Sequence, residues 1–137
     1  MAKPREPWDI RPAKKRVAVS TSLKTEVETK AKELIEEVLK PRHIRPQPKG
    51  QLGNYMIDIG AKWNRGYFYF FTTYACPGPN ALAPTFEAML ARMEPLAGGT
   101  FALYAMRYTG TEWVGVLDAL SVDDCMKAIK DDEWFER

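Results

Sequence analysis

Five consecutive aromatic residues, Tyr67-Phe68-Tyr69-Phe70-Phe71, constrain this chain more than any other feature. Aromatic residues favour extended backbone, and successive side chains of a strand point to opposite faces. Tyr67, Tyr69 and Phe71 therefore point one way, and Phe68 and Phe70 the other. Both faces need cover, by a helix on one side and by a loop, tail or second subunit on the other. A fully buried central strand meets that demand, and so does a dimer seam. A partner strand precedes it in Tyr55-Met56-Ile57-Asp58-Ile59. The intervening Asn64-Arg65-Gly66 accepts positive φ, which predicts a hairpin.

The covering helix is also legible. Leu23, Val27, Ala31, Leu34, Ile35 and Val38 recur at spacings of three and four, forming one apolar face that opens at Ser22-Leu23. Lys24, Glu28, Lys32 and Glu36 occupy the opposite face, and Glu28–Lys32 has the favourable Glu-before-Lys spacing of four. Pro41 is expected to stop this helix, because it lacks an N–H and disfavours helical dihedrals at Lys40. Residues 41–53 hold three prolines and read as a stiff connector.

After the aromatic strand, Cys76-Pro77-Gly78-Pro79-Asn80 makes a long turn. The stretch from Thr85 to Met93 favours helix on propensity, with Thr85 as a cap and Phe86, Met89, Leu90 and Met93 at helical intervals. Gly98-Gly99 turns the chain into Phe101-Ala102-Leu103-Tyr104-Ala105-Met106-Arg107, with Phe101, Leu103 and Ala105 on one face. Thr109-Gly110 turns it again into Trp113-Val114-Gly115-Val116-Leu117. Ser121 then caps a final helix, with Asp123 and Asp124 in its first turn and Val122, Met126 and Ile129 along one side.

Size and composition exclude several classes. The 137 residues suffice for one domain, with residues 1–20 expected as a flexible basic segment (Trp8 and Ile10 its only anchors) and 21–137 as a single α+β unit. No apolar run spans a bilayer and no secretory signal precedes the domain, so a cytoplasmic location is expected. Two cysteines are too few for a disulfide scaffold, and a single histidine, His43, leaves few routes to a zinc site; no cofactor or metal is expected. The net charge of +2 divides into +6 over residues 1–49 and −4 over residues 50–137. Such an asymmetry can steer anionic partners toward one end or let two copies attract head to tail, but a solvated tail is the plainer expectation.

The ordered elements resemble a family of small bacterial proteins known only as a domain of unknown function. The family pattern has an N-terminal helix and a Pro-x-His-Ile-Arg-Pro-Gln segment, here Pro41-Arg42-His43-Ile44-Arg45-Pro46-Gln47. A strand ending near an arginine follows, here Ala91-Arg92-Met93. A Leu-Tyr and Met-Arg strand comes next, here Phe101 to Arg107, then a Trp-bearing strand at Trp113. A short acidic helix and the tail Asp131-Asp132-Glu133-Trp134-Phe135 close it. Ala105 stands where the family has Trp, and the loop at Cys76 is longer than the pattern. The resemblance implies strand rather than helix for residues 85–94, and that reading is adopted over propensity. It implies no activity.

Candidate chemistry is sparse. His43 lies between Arg42 and Arg45, a setting that disfavours imidazole protonation and suits a general base or an anion grip. A surface histidine packed on a neighbouring strand is the plainer expectation. Cys76 with His43 as a nucleophile–base pair lacks any oxyanion motif. Cys76 and Cys125 otherwise read as small apolar fillers. Arg92 and Arg107, if carried on paired strands, emerge near Trp63, Tyr104 or Trp113; cation–π packing along the sheet is the plainer expectation, and a surface of arginine with aromatic rings that holds planar or anionic groups is the functional one. Arg42, His43, Arg45, Trp63, Arg92, Tyr104, Arg107 and Trp113 are thus the candidate ligand or partner surface.

The expected fold is α+β: an N-terminal amphipathic helix, an antiparallel meander of four or five strands and a short C-terminal helix. The leading functional expectation is a non-enzymatic binding or protein-interaction module, with a homodimer through the aromatic sheet as one form of it. The alternatives are nucleic-acid binding through Lys14, Lys15, Arg16, Arg42 and Arg45, and an enzyme acting on a small anion around His43.

Overall fold

The computed structural model describes residues 17–44, 53–107 and 112–135. Helix α1 (Thr21–Leu34) continues through a π-helical turn (Ile35–Leu39) into the short α2 (Lys40–His43). Five strands follow: β1 (Tyr55–Asn64), β2 (Tyr67–Ala75), β3 (Thr85–Pro95), β4 (Phe101–Met106) and β5 (Trp113–Leu120). Helix α3 (Val122–Asp131) and a turn at Glu133–Phe135 complete the order. The strands form one antiparallel meander in sequence order, so the architecture is α+β with five strands.

Residues 85–95 are strand, against their helical propensity. Packing explains the override: β3 lies between β2 and β4, where Ala91 and Met93 are buried and helix would leave both neighbours unpaired. A bulge inserts Leu90 opposite Phe70-Phe71 and sends it into the core as well.

Three details of the first helix differ from expectation. Ser20 rather than Ser22 is the N-cap, its Oγ accepting the Leu23 N–H at 3.1 Å. Pro41 does not end the helix. The preceding turn widens so that the Lys40 N–H reaches the Ile35 carbonyl, five residues back, and the chain continues helically to His43. A π-type turn thus opens the hydrogen-bond ladder where proline cannot donate. The Glu28–Lys32 pair is also absent among the described ion pairs; Glu26–Lys30 at 3.2 Å and Glu36–Lys40 at 2.7 Å form instead. Exposed pairs of this spacing are worth only tenths of a kcal/mol, so side-chain entropy readily leaves one unmade.

The β1–β2 turn follows the sequence signal. Arg65 (φ 52°) and Gly66 (φ 89°) form a two-residue loop with Asn64 opposite Tyr67. The core lies between the helices and one sheet face. Val27, Ala31, Leu34, Ile35 and Leu39 meet Phe68, Phe70, Met93, Leu103 and Ala105, and Val122, Cys125, Met126 and Ile129 close the same layer from α3. Lys30 binds Asp123 and Arg42 donates to the Lys130 carbonyl, tying α1 and α2 to α3. Those hydrogen bonds, first to Asp123 and then to Glu26, raise the pKa of Lys30.

Cys125 is a core residue, and burial pushes its thiol up to about 12 from an ordinary value of 9.0. A raised thiol pKa favours the protonated folded state, so its contribution is complete below pH 9 and is lost as pH rises toward 12. At pH 10 this group alone is expected to lower the unfolding free energy by on the order of 1 kcal/mol relative to pH 7. Urea titrations of the protein and of Cys125→Ala at both pH values check this; equal declines in the two would refute it.

Candidate functional site: an arginine framed by aromatic rings

The face of the sheet turned away from the helices is built by strand parity. Register places Tyr69 of β2, Arg92 of β3 and Tyr104 of β4 side by side, with Gly115 of β5 beyond. Tyr67 lies two positions along β2, and Trp113 two along β5. The Arg92 guanidinium carbon lies 4.4 Å from the Tyr104 ring centroid, 4.9 Å from that of Trp113 and 5.1 Å from that of Tyr67. These are cation–π distances to three rings at once.

The rings of Tyr69 and Trp113 meet at 6.0 Å although β3 and β4 lie between their strands. Three strand spacings in a flat sheet are about 14 Å, so these side chains lean inward across Arg92. Two bulges in β5, near Val116 and Ala119, strengthen the local twist. The Tyr104 ring packs over Gly115, where a Cβ would stand in ordinary contact at 3.7 Å, and the Tyr104 hydroxyl donates to Glu94 at 2.9 Å. At the other edge Phe71 lies on Gly60, whose missing Cβ would come within 2.6 Å of the ring, and Lys62 Nζ sits 5.0 Å above it. This face is therefore covered largely by its own rings: Tyr67, Tyr69, Phe71 and Trp113 are all half-buried.

Arg92 is held but, among the described residues, not neutralised. Its Nε is buried with no hydrogen-bond partner, and none of the ion pairs among the described residues includes it. A guanidinium held flat by rings keeps its terminal nitrogens as a planar donor fork, the shape that matches a carboxylate or phosphate.

The other expected site residues lie elsewhere. Trp63 is on the helix side, its ring 5.0 Å from that of Phe68 and 5.7 Å from Lys24 Nζ. Its position opposite Phe68 fixes that face. Arg107 pairs with Glu112 through Nε at 3.4 Å. Three residues after Tyr104, it is also out of phase with the arginine face. Arg42 serves the α2–α3 contact, and His43 is half-buried at the end of α2. Arg45, Lys14, Lys15, Arg16, Trp8, Ile10 and the Thr109-Gly110 turn lie outside the described residues. The structure thus brings together Arg92, Tyr104 and Trp113 from the expected set. Tyr67 and Tyr69 belong with them, signalled by their alternation on β2; no sequence signal marked Glu94.

Among the described residues no cluster of His, Cys, Asp and Glu could hold a metal ion, and no helix is long and apolar enough to cross a membrane. Comparison with known families matches residues 19–136 to a domain of unknown function, DUF3024. The chain belongs to this family. DUF3024 names no activity, and no curated protein or solved structure matches the chain. For this DUF3024 domain the function must be read from its own geometry.

Proposed function

We propose that this DUF3024 domain is a non-enzymatic cytoplasmic binding module whose helix-free sheet face seats an anionic group on Arg92. One observation carries the reading: a guanidinium framed by Tyr67, Tyr104 and Trp113 has no internal counter-ion among the described residues. Partly burying a cation without a carboxylate is costly, and ring faces offset that cost only in part. A carboxylate or phosphate on an apolar or planar body supplies the missing charge and stacks on the surrounding rings. The half-buried rings of Tyr69 and Trp113 supply that apolar wall.

Titration with benzoate, adenosine monophosphate and inorganic phosphate tests the reading, followed by Trp113 fluorescence and amide shifts. Benzoate and the nucleotide are expected to perturb Trp113 and the neighbours of Arg92 saturably, and more strongly than bare phosphate. Arg92→Gln is expected to weaken binding at least tenfold, since charge-assisted hydrogen bonds are worth about 1.5–3 kcal/mol. Shifts confined to other surfaces, or unchanged by Arg92→Gln, would overturn it.

A further inference from the structure

On the opposite flank, β1 is a sheet edge among the described residues, with a groove beside it. Asn64 and Tyr67 flank a two-residue loop and so form a hydrogen-bonded pair. The register is unbroken back to Ile59. Gly60 and Lys62 therefore turn their backbone groups toward β2, while Ile59, Ala61 and Trp63 turn theirs to the free edge. Asp58 takes the Ile59 N–H at 2.9 Å, and the bulge near Ile57 ends the flat stretch. A cavity of about 310 Å³ opens between this edge and α1, lined by Ala31, Ile35, Ile59, Ala61 and Phe68 and rimmed by Glu28, Lys32 and Glu36.

The rim has a pattern. Lys24, Glu28, Lys32 and Glu36 alternate in sign every four residues, and on a helix such residues share one face. Glu28 and Lys32 belong to no ion pair among the described residues. Helix α1 runs antiparallel to β1: Lys24 lies over Trp63 and Lys40 reaches Asp58 at 3.1 Å. Ala61 therefore sits beside the middle of the Glu28–Lys32 interval. A two-fold axis through Ala61 pairs Ile59 with the partner subunit's Trp63; the Ile59 carbonyl faces outward, while its N–H is held by Asp58. The same axis sets Glu28 against the partner subunit's Lys32 and Lys24 against the partner subunit's Glu36. Strand register and helix charge thus select the same centre.

We infer that a second copy of this chain docks on the β1 edge and its α1 flank, joining two five-stranded sheets into one continuous sheet across Ala61. The symmetric interface satisfies the free edge of β1 and covers the groove from outside. It is independent of the Arg92 face, which stays open on both copies.

Light scattering of the full chain over a range of concentrations tests this. The expected mass is twice 15.6 kDa. Glu28→Lys sets like charges against each other twice across the axis and is expected to raise the dimer dissociation constant roughly tenfold. Adding Lys32→Glu to that variant restores the complement and the affinity. These residues are exposed, so circular dichroism is expected to stay unchanged. In a Cys76→Ser background, Ala61→Cys is expected to form an intermolecular disulfide under mild oxidation, because hydrogen-bonded antiparallel pairs hold Cα atoms about 5.5 Å apart. A monomer at several hundred micromolar would overturn the proposal. So would a dimer indifferent to Glu28→Lys whose Ala61→Cys form does not cross-link.

Discussion

Phe70→Ala is expected to lower the unfolding free energy by about 3–5 kcal/mol, the range for deleting a fully buried aromatic ring. Phe70 is 0% exposed, and its ring sits 5.5 Å from that of Phe68 in an edge-to-face arrangement. It lies opposite Ala61 on one side and Ala91 on the other, two small residues that leave the space its ring fills. Neither can grow into the void, so the surroundings relax little and the cavity term adds to the lost transfer free energy. Removing Phe71 is expected to cost less, because that ring is half-buried on the other face over Gly60. Urea denaturation of the two variants measures the difference; equal losses would mean that the faces are not distinguished as described.

Arg92→Met is expected to separate binding from stability. Methionine retains an apolar stem among Tyr67, Tyr104 and Trp113 but removes the donor fork. Replacing a partly buried charge by an apolar side chain of similar reach is often neutral. The guanidinium also leaves its Nε unpaired, so unfolding stability is expected to change by no more than about 1 kcal/mol. Anion affinity is expected to fall roughly a hundredfold, the loss of a bidentate charge-assisted contact. Arg92→Ala is expected to cost about 2–3 kcal/mol, because it removes the packed stem as well as the cation–π contacts. A large stability loss in Arg92→Met with no loss of affinity would make the residue a structural element only.

Much of this architecture was readable because local patterns and tertiary demands agree. The apolar spacing from Leu23 to Val38, the Arg65-Gly66 turn and the Ser121 cap, whose Oγ accepts the Asp124 N–H, each express a short-range rule that packing does not contradict. Residues 85–95 show where local rules fail: their composition suits a helix, but a central position between β2 and β4 demands strand. The continuation past Pro41 fails for another reason, since a π-type turn depends on hydrogen-bond geometry that composition does not encode. At the site, Arg92, Tyr104 and Trp113 are among the expected residues, Arg92 on a strand that the family resemblance rather than propensity implies. Their assembly depends on register across three strands, which also sends Trp63 to the opposite face. The face of Tyr67 and Tyr69 is half-buried rather than covered by another element, because the rings shield one another by leaning across the arginine.

Arginine side-chain NMR tests the central claim most directly. With Nε buried and the guanidinium within 5.1 Å of three ring centroids, one Hε resonance is expected well upfield of the others and protected from solvent exchange. It should vanish in Arg92→Met, move in Trp113→Leu and shift saturably when benzoate is added. A spectrum in which every arginine Hε exchanges freely at an unperturbed position would contradict the framed guanidinium and the binding face built on it.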